Sequence, residues 1–342
     1  METPLPIMSS PPASTNRPAQ PPSSPPISVV LLCYNHGHYL PTALEAVLKQ
    51  EGVDFEVIVV NDGSTDKTQE ILEDYQTRHT NLRILRHEKN QGIYTSVNDG
   101  IAIARGDYVY LAAADDEIKP EFLRKSLQLL QTHPQADLCC CIGDWREKQS
   151  GLNWYMGNKM TTTPAYFTPE EVVRLGQSGR LYIASHTVLI RRSAFNSSGG
   201  YIPELRWYTD WFPIHIAAFQ NGLCVLPEAL TIFNINEGSH YKADSRNQKL
   251  QRNVLTHLLR HLNNPQFAVA ASRIYVTGIM AVFGWPMLRL FLTHTAYWKH
   301  LNWSFLRQSA LRIGSLQLKR TLPQPLVQLL MRLAGLQQPT PK

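Results

Sequence analysis

The chain has 342 residues, 43% of them hydrophobic and 18% charged. That composition excludes a wholly disordered, collagen-like or disulfide-scaffold protein and allows one large α/β domain with an appendage. The net charge of +6 hides an asymmetry: residues 245–342 carry 13 Lys/Arg and no acid, while residues 1–244 have a net charge of −7. A wholly basic tail calls for an anionic partner, and its Trp, Leu and Phe content suits a membrane surface better than nucleic acid.

Residues 1–26 are rich in Pro and Ser and poor in large apolar residues, so they are expected to be disordered. They lack the basic and apolar regions of a signal peptide, which argues against export. Ile27–Cys33 is a buried strand, followed by a polar loop and a helix with Leu40, Ala43, Leu44 and Val47 on one face. Phe55–Val60 is the next strand. It ends in Asn61-Asp62-Gly63-Ser64-Thr65-Asp66, an acidic, Gly-containing exit with Asp66 in the first turn of the next helix. Leu82–Leu85 is a short strand, and Asn90-Gln91-Gly92 a turn before a helix carrying Ile93, Val97 and Ile101. Tyr108–Ala114 reads as a buried strand that stops at Asp115-Asp116. Two carboxylates at the end of a parallel strand sit where α/β sheets bind ligands, and their repulsion asks for a cation.

A helix and a strand from Ala136 to Ile142 follow, including Cys139-Cys140-Cys141. Adjacent strand residues face opposite ways, so three consecutive Cys make no metal site or pairing framework, and all five Cys read as buried thiols in a reducing cytoplasm. Residues 143–164 look irregular. Thr168-Pro169-Glu170-Glu171 is a strong helix start. Tyr182–Ile190, Leu223–Leu226 and Leu230–Ile235 look like strands, with a helix from Ile214 between the first two. His186 on its apolar segment reads as a core histidine. The alternation of strand and helix predicts a parallel, doubly wound sheet. Beyond Ser245 the chain predicts basic helices. Ile274–Leu292 reaches the length of a membrane span, but Gly278, Gly284, Pro286 and Arg289 favour an interfacial or re-entrant helix over a cap packed on the body. Leu326, Leu329, Leu330 and Leu333 predict a last helix lying in a headgroup layer. The expected division is therefore 1–26 as a tail, 27–244 as a catalytic domain and 245–342 as a basic helical region suited to membrane association.

Neither G-x-G-x-x-G nor G-x-x-x-x-G-K-[ST] occurs, which disfavours dinucleotide and P-loop chemistry. Instead three acidic exits recur, at Asp62, at Asp115-Asp116 and at Asp210. With Val30-Leu-Leu-Cys-Tyr34-Asn35, Val59-Val-Asn-Asp62-Gly-Ser-Thr-Asp66, Asn90-Gln-Gly92, Asn98-Asp-Gly-Ile101, Gly106-Asp-Tyr108, Ala114-Asp-Asp116 and Gly199-Gly-Tyr201, the chain resembles family 2 glycosyltransferases over roughly Ile27 to Tyr241.

The resemblance implies an inverting enzyme with a GT-A fold: a Rossmann-like α/β sheet with helices on both faces, here with a basic α-helical C-terminal extension. It implies that Tyr34 packs on the nucleotide base and Asp62 accepts a hydrogen bond from it. Asn35, Ser64, Asn90, Gly92, Asn98, Ala114 and Asp116 are implied as further nucleotide-sugar contacts. Asp115 is implied as the ligand of Mn²⁺ or Mg²⁺ on the donor diphosphate, and Asp210 as the general base. Trp207, Tyr208, Trp211 and His240 are weaker candidates for the acceptor. The sequence departs from the family pattern at Ala113 and Thr209, where carboxylates are common, and at Asn234 and Asn236, where Arg and His are common.

The expected partners are a nucleotide-diphosphate sugar, a glycan or lipid-linked acceptor and an anionic membrane surface, with no nucleic acid. The expected location is the cytoplasm, at the inner face of the membrane, in cell-surface polysaccharide or glycolipid synthesis. The alternatives are a catalytically degenerate sugar-nucleotide-binding or scaffold protein and a nucleotidyltransferase. The latter would need a basic Gly-rich loop near the N-terminus, and Leu31–Asn35 offers none.

Overall fold

A computed structural model describes residues 25–147, 151–235 and 247–321. Its centre is a run of four parallel strands, β1 (Ile27–Cys33), β2 (Phe55–Asn61), β3 (Leu82–Arg86) and β4 (Tyr108–Ala113), in the order β3-β2-β1-β4. Helices α1 (Leu40–Leu48), α2 (Thr68–Arg78) and α3 (Ile93–Ala102) connect them. Alternation along β1 decides what packs where. Val29 and Leu31 enter a core with Leu40, Leu44 and Phe122, whereas Val30 enters one with Val97, Ile101 and Phe212. Both faces are covered, which is why these strands read as unbroken apolar runs.

The second half is mixed rather than parallel. After a two-residue strand, β5 (Glu117–Ile118), and α4 (Phe122–Thr132) come β6 (Leu138–Glu147), β7 (Leu152–Met156) and β8 (Ala165–Phe167). Helix α5 (Pro169–Ser178), β9 (Val188–Arg191), α6 (Arg192–Ser197), α7 (Trp211–Asn221) and β10 (Leu223–Ile235) complete it. Strand β9 runs antiparallel between β4 and β6, and β10 is parallel to β6. The expectation of a wholly parallel sheet fails here because an apolar run has no direction.

Three smaller expectations also change. Tyr182–Ile190 shortens to a 3₁₀ turn and β9. The stretch expected to be irregular holds β7 and β8. The two strands expected around Pro227 are one, β10, which pairs with β6 through register shifts between Leu226 and Thr231. Pro227 cannot donate to a ladder, and a bulge accommodates it.

The basic region continues as α8 (Gln248–Leu262), α9 (Ala268–Thr277), α10 (Trp285–Thr293) and α11 (Trp303–Thr321). Ile274–Leu292 is therefore not one interfacial or re-entrant helix. Gly278 and Gly284, both at positive φ, break it into the end of α9, a 3₁₀ turn at Ile279–Phe283 and most of α10. Leu255, Leu258, Ile274, Met280, Met287 and Phe291 are buried in the same core as Val30 and Phe219. The C-terminal helices pack on the body because their apolar stripes complete a face the sheet leaves open. Among the described residues no helix is long and apolar enough to cross a membrane. The expected helix around Leu326–Leu333 lies outside the described residues.

Gly106, before β4, lies against β1. A Cβ there would come within 2.6 Å of Ser28 N and 2.7 Å of Ile27 C, and backbone cannot swing aside. Its N–H donates to Ser28 Oγ at 2.8 Å, and that hydroxyl donates to buried Glu56 at 2.7 Å. Gly106→Val is expected to cost on the order of 2 kcal/mol by overpacking. Urea denaturation should show a lower midpoint with an unchanged slope.

Candidate active site

The site is built on the carboxyl ends of β1, β2 and β4. Tyr34 leaves β1 as a residue 41% exposed. Asn35 follows at φ 53°, a conformation Asn tolerates better than most residues. Its N–H donates to Ser64 Oγ at 3.0 Å, and its Oδ1 accepts from Thr65 N at 2.8 Å. Asn35 and Ser64 thus lock the β1 and β2 exit loops together. Asp66 reinforces this by accepting from Gly37 N and Thr68 N, both at 3.0 Å, just ahead of α2.

Asp62 is the centre of the cradle. Its Oδ1 accepts from Gln91 N at 2.8 Å and lies 2.8 Å from His87 Nδ1, and its Oδ2 accepts from Gly92 N at 2.9 Å. Burial works to raise its pKa. The bonds from Gln91, His87, Gly92 and Ser96 outweigh burial and hold the carboxyl below the usual range. The N-terminus of α3 adds a favourable field. Gly92 has φ 88°, and a Cβ there would meet nothing within 4 Å, so its backbone faces open space. Asn90 is exposed beside it. At Gly63, φ 70°, a Cβ would sit 2.4 Å from the carbonyl carbon of Lys89, which forces Gly where the two loops meet.

At the end of β4 the Asp115-Asp116 turn is tied to β10 by Asn234. Its N–H donates to Asp116 Oδ1 at 3.1 Å, and its Nδ2 donates to the Asp115 carbonyl at 2.7 Å. Asp116 is buried. Burial first, then repulsion from Asp115, pushes its carboxyl well above the usual range, although the Asn234 N–H partly offsets this. Asp115 is only half-buried. The donor chemistry fits a hard divalent ion: a half-buried carboxylate oxygen donor set, with the negative charge of Asp116 and Glu117 beside it. No three His, Cys, Asp or Glu converge on one point among the described residues.

Asp210 occupies the N-cap of α7. Burial pushes its carboxyl up, and bonds involving Ser185 and the Trp211 backbone only partly oppose this. Tyr182 lies within reach of its field. Burial lifts the Tyr182 hydroxyl to about 12, Arg312 of α11 opposes the rise and Asp210 adds to it.

The glycosyl transferase family 2 pattern matches residues 28–199. The chain belongs to this family. It is 26% identical over 247 residues to the uncharacterized glycosyltransferase YibD of Escherichia coli, covering 69% of this chain and 71% of YibD. It is 36% identical over 130 residues to the glycosyltransferase GlyG of Streptococcus pneumoniae, covering 38% and 42%. Among solved structures, S. aureus TarS 1–349 in complex with UDP-GlcNAc matches with a TM-score of 0.58 at 20% identity over 83% of this chain and 78% of that one. The mannosyltransferase PcManGT from Pyrobaculum calidifontis matches with a TM-score of 0.55 at 14% identity over 91% and 80%. The fold is the GT-A arrangement.

Against this family the chain rearranges several expected contacts. Asn98 does not reach toward a donor: both ends of its amide bind Tyr201, donating to its carbonyl and accepting from its N–H, each at 2.9 Å. The methyl of Ala114 is buried in the core beneath the turn, and the Asp116 side chain is a buried brace, so neither is an open donor contact. Tyr208 and Trp211 are not a free acceptor platform. Their rings pack on Phe283, with centroids 4.5 and 5.1 Å away, and Trp211 also stacks on His215 at 4.1 Å. Trp207 remains half-buried, with its indole N–H lacking a hydrogen-bond partner. His240 and Asn236 lie outside the described residues. Thr209, where the resemblance leads one to expect a carboxylate, accepts from Ile202 N at 2.7 Å and braces the Gly199–Tyr201 turn. His186 is a core histidine, lowered to about 3 by burial. All five cysteines are free and buried.

Sequence reasoning missed His87 and the role of Asn234. His87 is buried between Asp62 and Asp99, with Nε2 3.2 Å from Asp99 Oδ2 but outside good hydrogen-bond geometry. A lone His after a short strand carries no periodic signal, and only its distance to Asp62 reveals it.

Since Asp62 has a depressed folded pKa, its contribution is present above the unfolded carboxylate pKa of about 3.9. It is lost as pH falls through the lower folded value. Asp62→Asn is expected to lose on the order of 2 kcal/mol at neutral pH. In thermal melts the gap to wild type should narrow in acid.

Proposed function

We propose that the chain is an inverting, metal-dependent glycosyltransferase. It moves a sugar from a nucleotide-diphosphate donor to a hydroxyl of a glycan or lipid-linked acceptor, in cell-surface polysaccharide or glycolipid synthesis. The observation that carries this reading is the split between two carboxylates. The Gln91 and Gly92 N–H groups donate to Asp62 and hold its carboxyl below the usual range, while burial pushes the Asp210 carboxyl up at the head of α7.

In this reading Tyr34 covers the base, and Asp62 and Gly92 shape the nucleotide cradle. Asp62 acts chiefly by holding the Gln91-Gly92 backbone in place. Asp210 takes the proton of the acceptor hydroxyl as that oxygen attacks the anomeric carbon. The bond from that carbon to the diphosphate breaks with its electron pair leaving on phosphate. Attack from the opposite side inverts the configuration. A Mn²⁺ or Mg²⁺ ion, when held by Asp115, supplies positive charge against the departing diphosphate. TarS has been solved with UDP-GlcNAc and PcManGT with GDP-Man and Mn²⁺, which supports a nucleotide sugar as donor and a divalent ion as cofactor here. In this reading the enzyme works in the cytoplasm at the inner face of the membrane, a location supported by the acid-free basic stretch from Ser245 onward.

Asp210→Asn is expected to reduce transfer ~10²–10⁴-fold while donor binding persists. A base must be ionised, and this one has a raised pKa. The wild-type rate should therefore fall on an acidic limb lying above the ordinary Asp range and absent from the variant. Wild-type transfer by Asp210→Asn would remove the base assignment. Chelation should stop transfer and Mn²⁺ restore it, and Asp115→Ala should resist that rescue. Unchanged transfer in a chelator would remove the metal.

The departures at Ala113, Thr209 and Asn234 favour one rival, a protein that binds sugar nucleotides without turning them over. Donor binding in calorimetry with neither hydrolysis nor transfer across a panel of sugars would establish it.

A further inference from the structure

Large apolar side chains left exposed on the described residues fall overwhelmingly in the C-terminal helices. On α10 they are organised. Met287, Leu290 and Phe291 are buried on one face, and the opposite face presents Trp285, Arg289 and Leu292, spaced four and three residues apart. Trp285 is 57% exposed and Leu292 49%. Trp298, also 57% exposed, extends this strip: its indole N–H donates to the Leu292 carbonyl at 3.2 Å. Exposed Lys299 follows it. Exposed Arg252 of α8 flanks the same end, 3.0 Å from His294 Nε2. No acidic residue occurs from Ser245 onward.

We propose that this strip, Trp285–Arg289–Leu292–Trp298 with Lys299 and Arg252 beside it, is the surface by which the protein docks on an anionic bilayer. Indole rings that are apolar in body and carry one N–H suit the headgroup boundary, and the Arg and Lys side chains add attraction to acidic lipid. Burying solvent-exposed Trp and Leu in a wholly basic setting fits acidic lipid better than nucleic acid, because the apolar groups would gain nothing from phosphates and sugars alone.

The position also suits the enzyme. Phe283, two residues before Trp285, packs on Tyr208 and Trp211, the residues around Asp210. A surface seated there holds the base close to the headgroup layer, where a lipid-linked hydroxyl would arrive. This last step rests on the proposed transfer reaction; the docking surface itself does not.

Full-length protein should co-float with phosphatidylcholine vesicles containing phosphatidylglycerol and much less with phosphatidylcholine alone. Its tryptophan emission should shift to the blue on binding. Trp285→Ser with Trp298→Ser should lower partitioning at least about tenfold, and Arg289→Glu alone several-fold. Arg289 is exposed, so its variant should keep the wild-type melting temperature and carry the test even if loss of the Trp298–Leu292 bond softens the double variant.

Wild-type protein that stays unbound on phosphatidylglycerol would overturn the proposal. So would variants that float like wild type. A wild-type dimer made monomeric by the double variant, with no vesicle binding, would reassign the strip to a contact between copies and equally overturn it. Transfer to a water-soluble acceptor, measured without vesicles, should be the same in all these variants, so failure of docking and failure of the enzymatic reading are separately visible.

Discussion

One carboxylate organises the donor half of the molecule. Asp62 stands at the end of β2 and takes the backbone N–H groups of Gln91 and Gly92. It therefore joins two loops that are far apart in sequence. Without it the start of α3 would present orphan donors to solvent, and Gly92 would have no fixed direction. The close contact of Gly63 with Lys89 lies at the same junction, and the Asn35–Ser64 lock joins the β1 exit to it from the other side. A residue that resembles a direct ligand of the base is thus first a structural anchor. The two roles agree, because an anchored backbone is a preorganised binding surface.

The other half is organised by packing. Asp210 heads α7, and α7 is held between the sheet and the C-terminal helices through Phe212 and Phe219. Trp211, next to Asp210, packs on Phe283 from far along the chain. Thr209 and Asn234, where the chain departs from its family, are both engaged in bracing. Each ties a loop at the site to its neighbour. Both are neutral side chains, and their hydrogen bonds here are structural.

Much of this was legible in the sequence. Buried strands such as Phe55–Asn61 announce themselves as apolar runs, and the acidic exits after them lie at the carboxyl ends of the strands, as expected. Strand direction was not legible, since Val188–Arg191 reads the same either way. Nor was the fate of Asn98, Ala114, Tyr208 and Trp211. Whether an amide or a ring faces a ligand or a neighbour depends on what the chain brings back from a hundred residues away. The segment around Pro286 shows the same limit. Its composition matches an interfacial helix, but Gly278 and Gly284 fold it so that only one side of a short helix stays wet.

The common core has a further consequence for how the molecule can be cut or rearranged. Leu255, Leu258, Leu262 and Phe267 pack with Phe212 and the sheet rather than with each other alone. Ending the chain before α8 would uncover a continuous apolar face on the catalytic half. The cut would also remove Phe283 from the rings of Tyr208 and Trp211 beside Asp210. The two halves differ in charge and in chemistry, but they share one hydrophobic interior. Grafting this C-terminal region onto a relative would therefore require carrying over the surface of α7 with it.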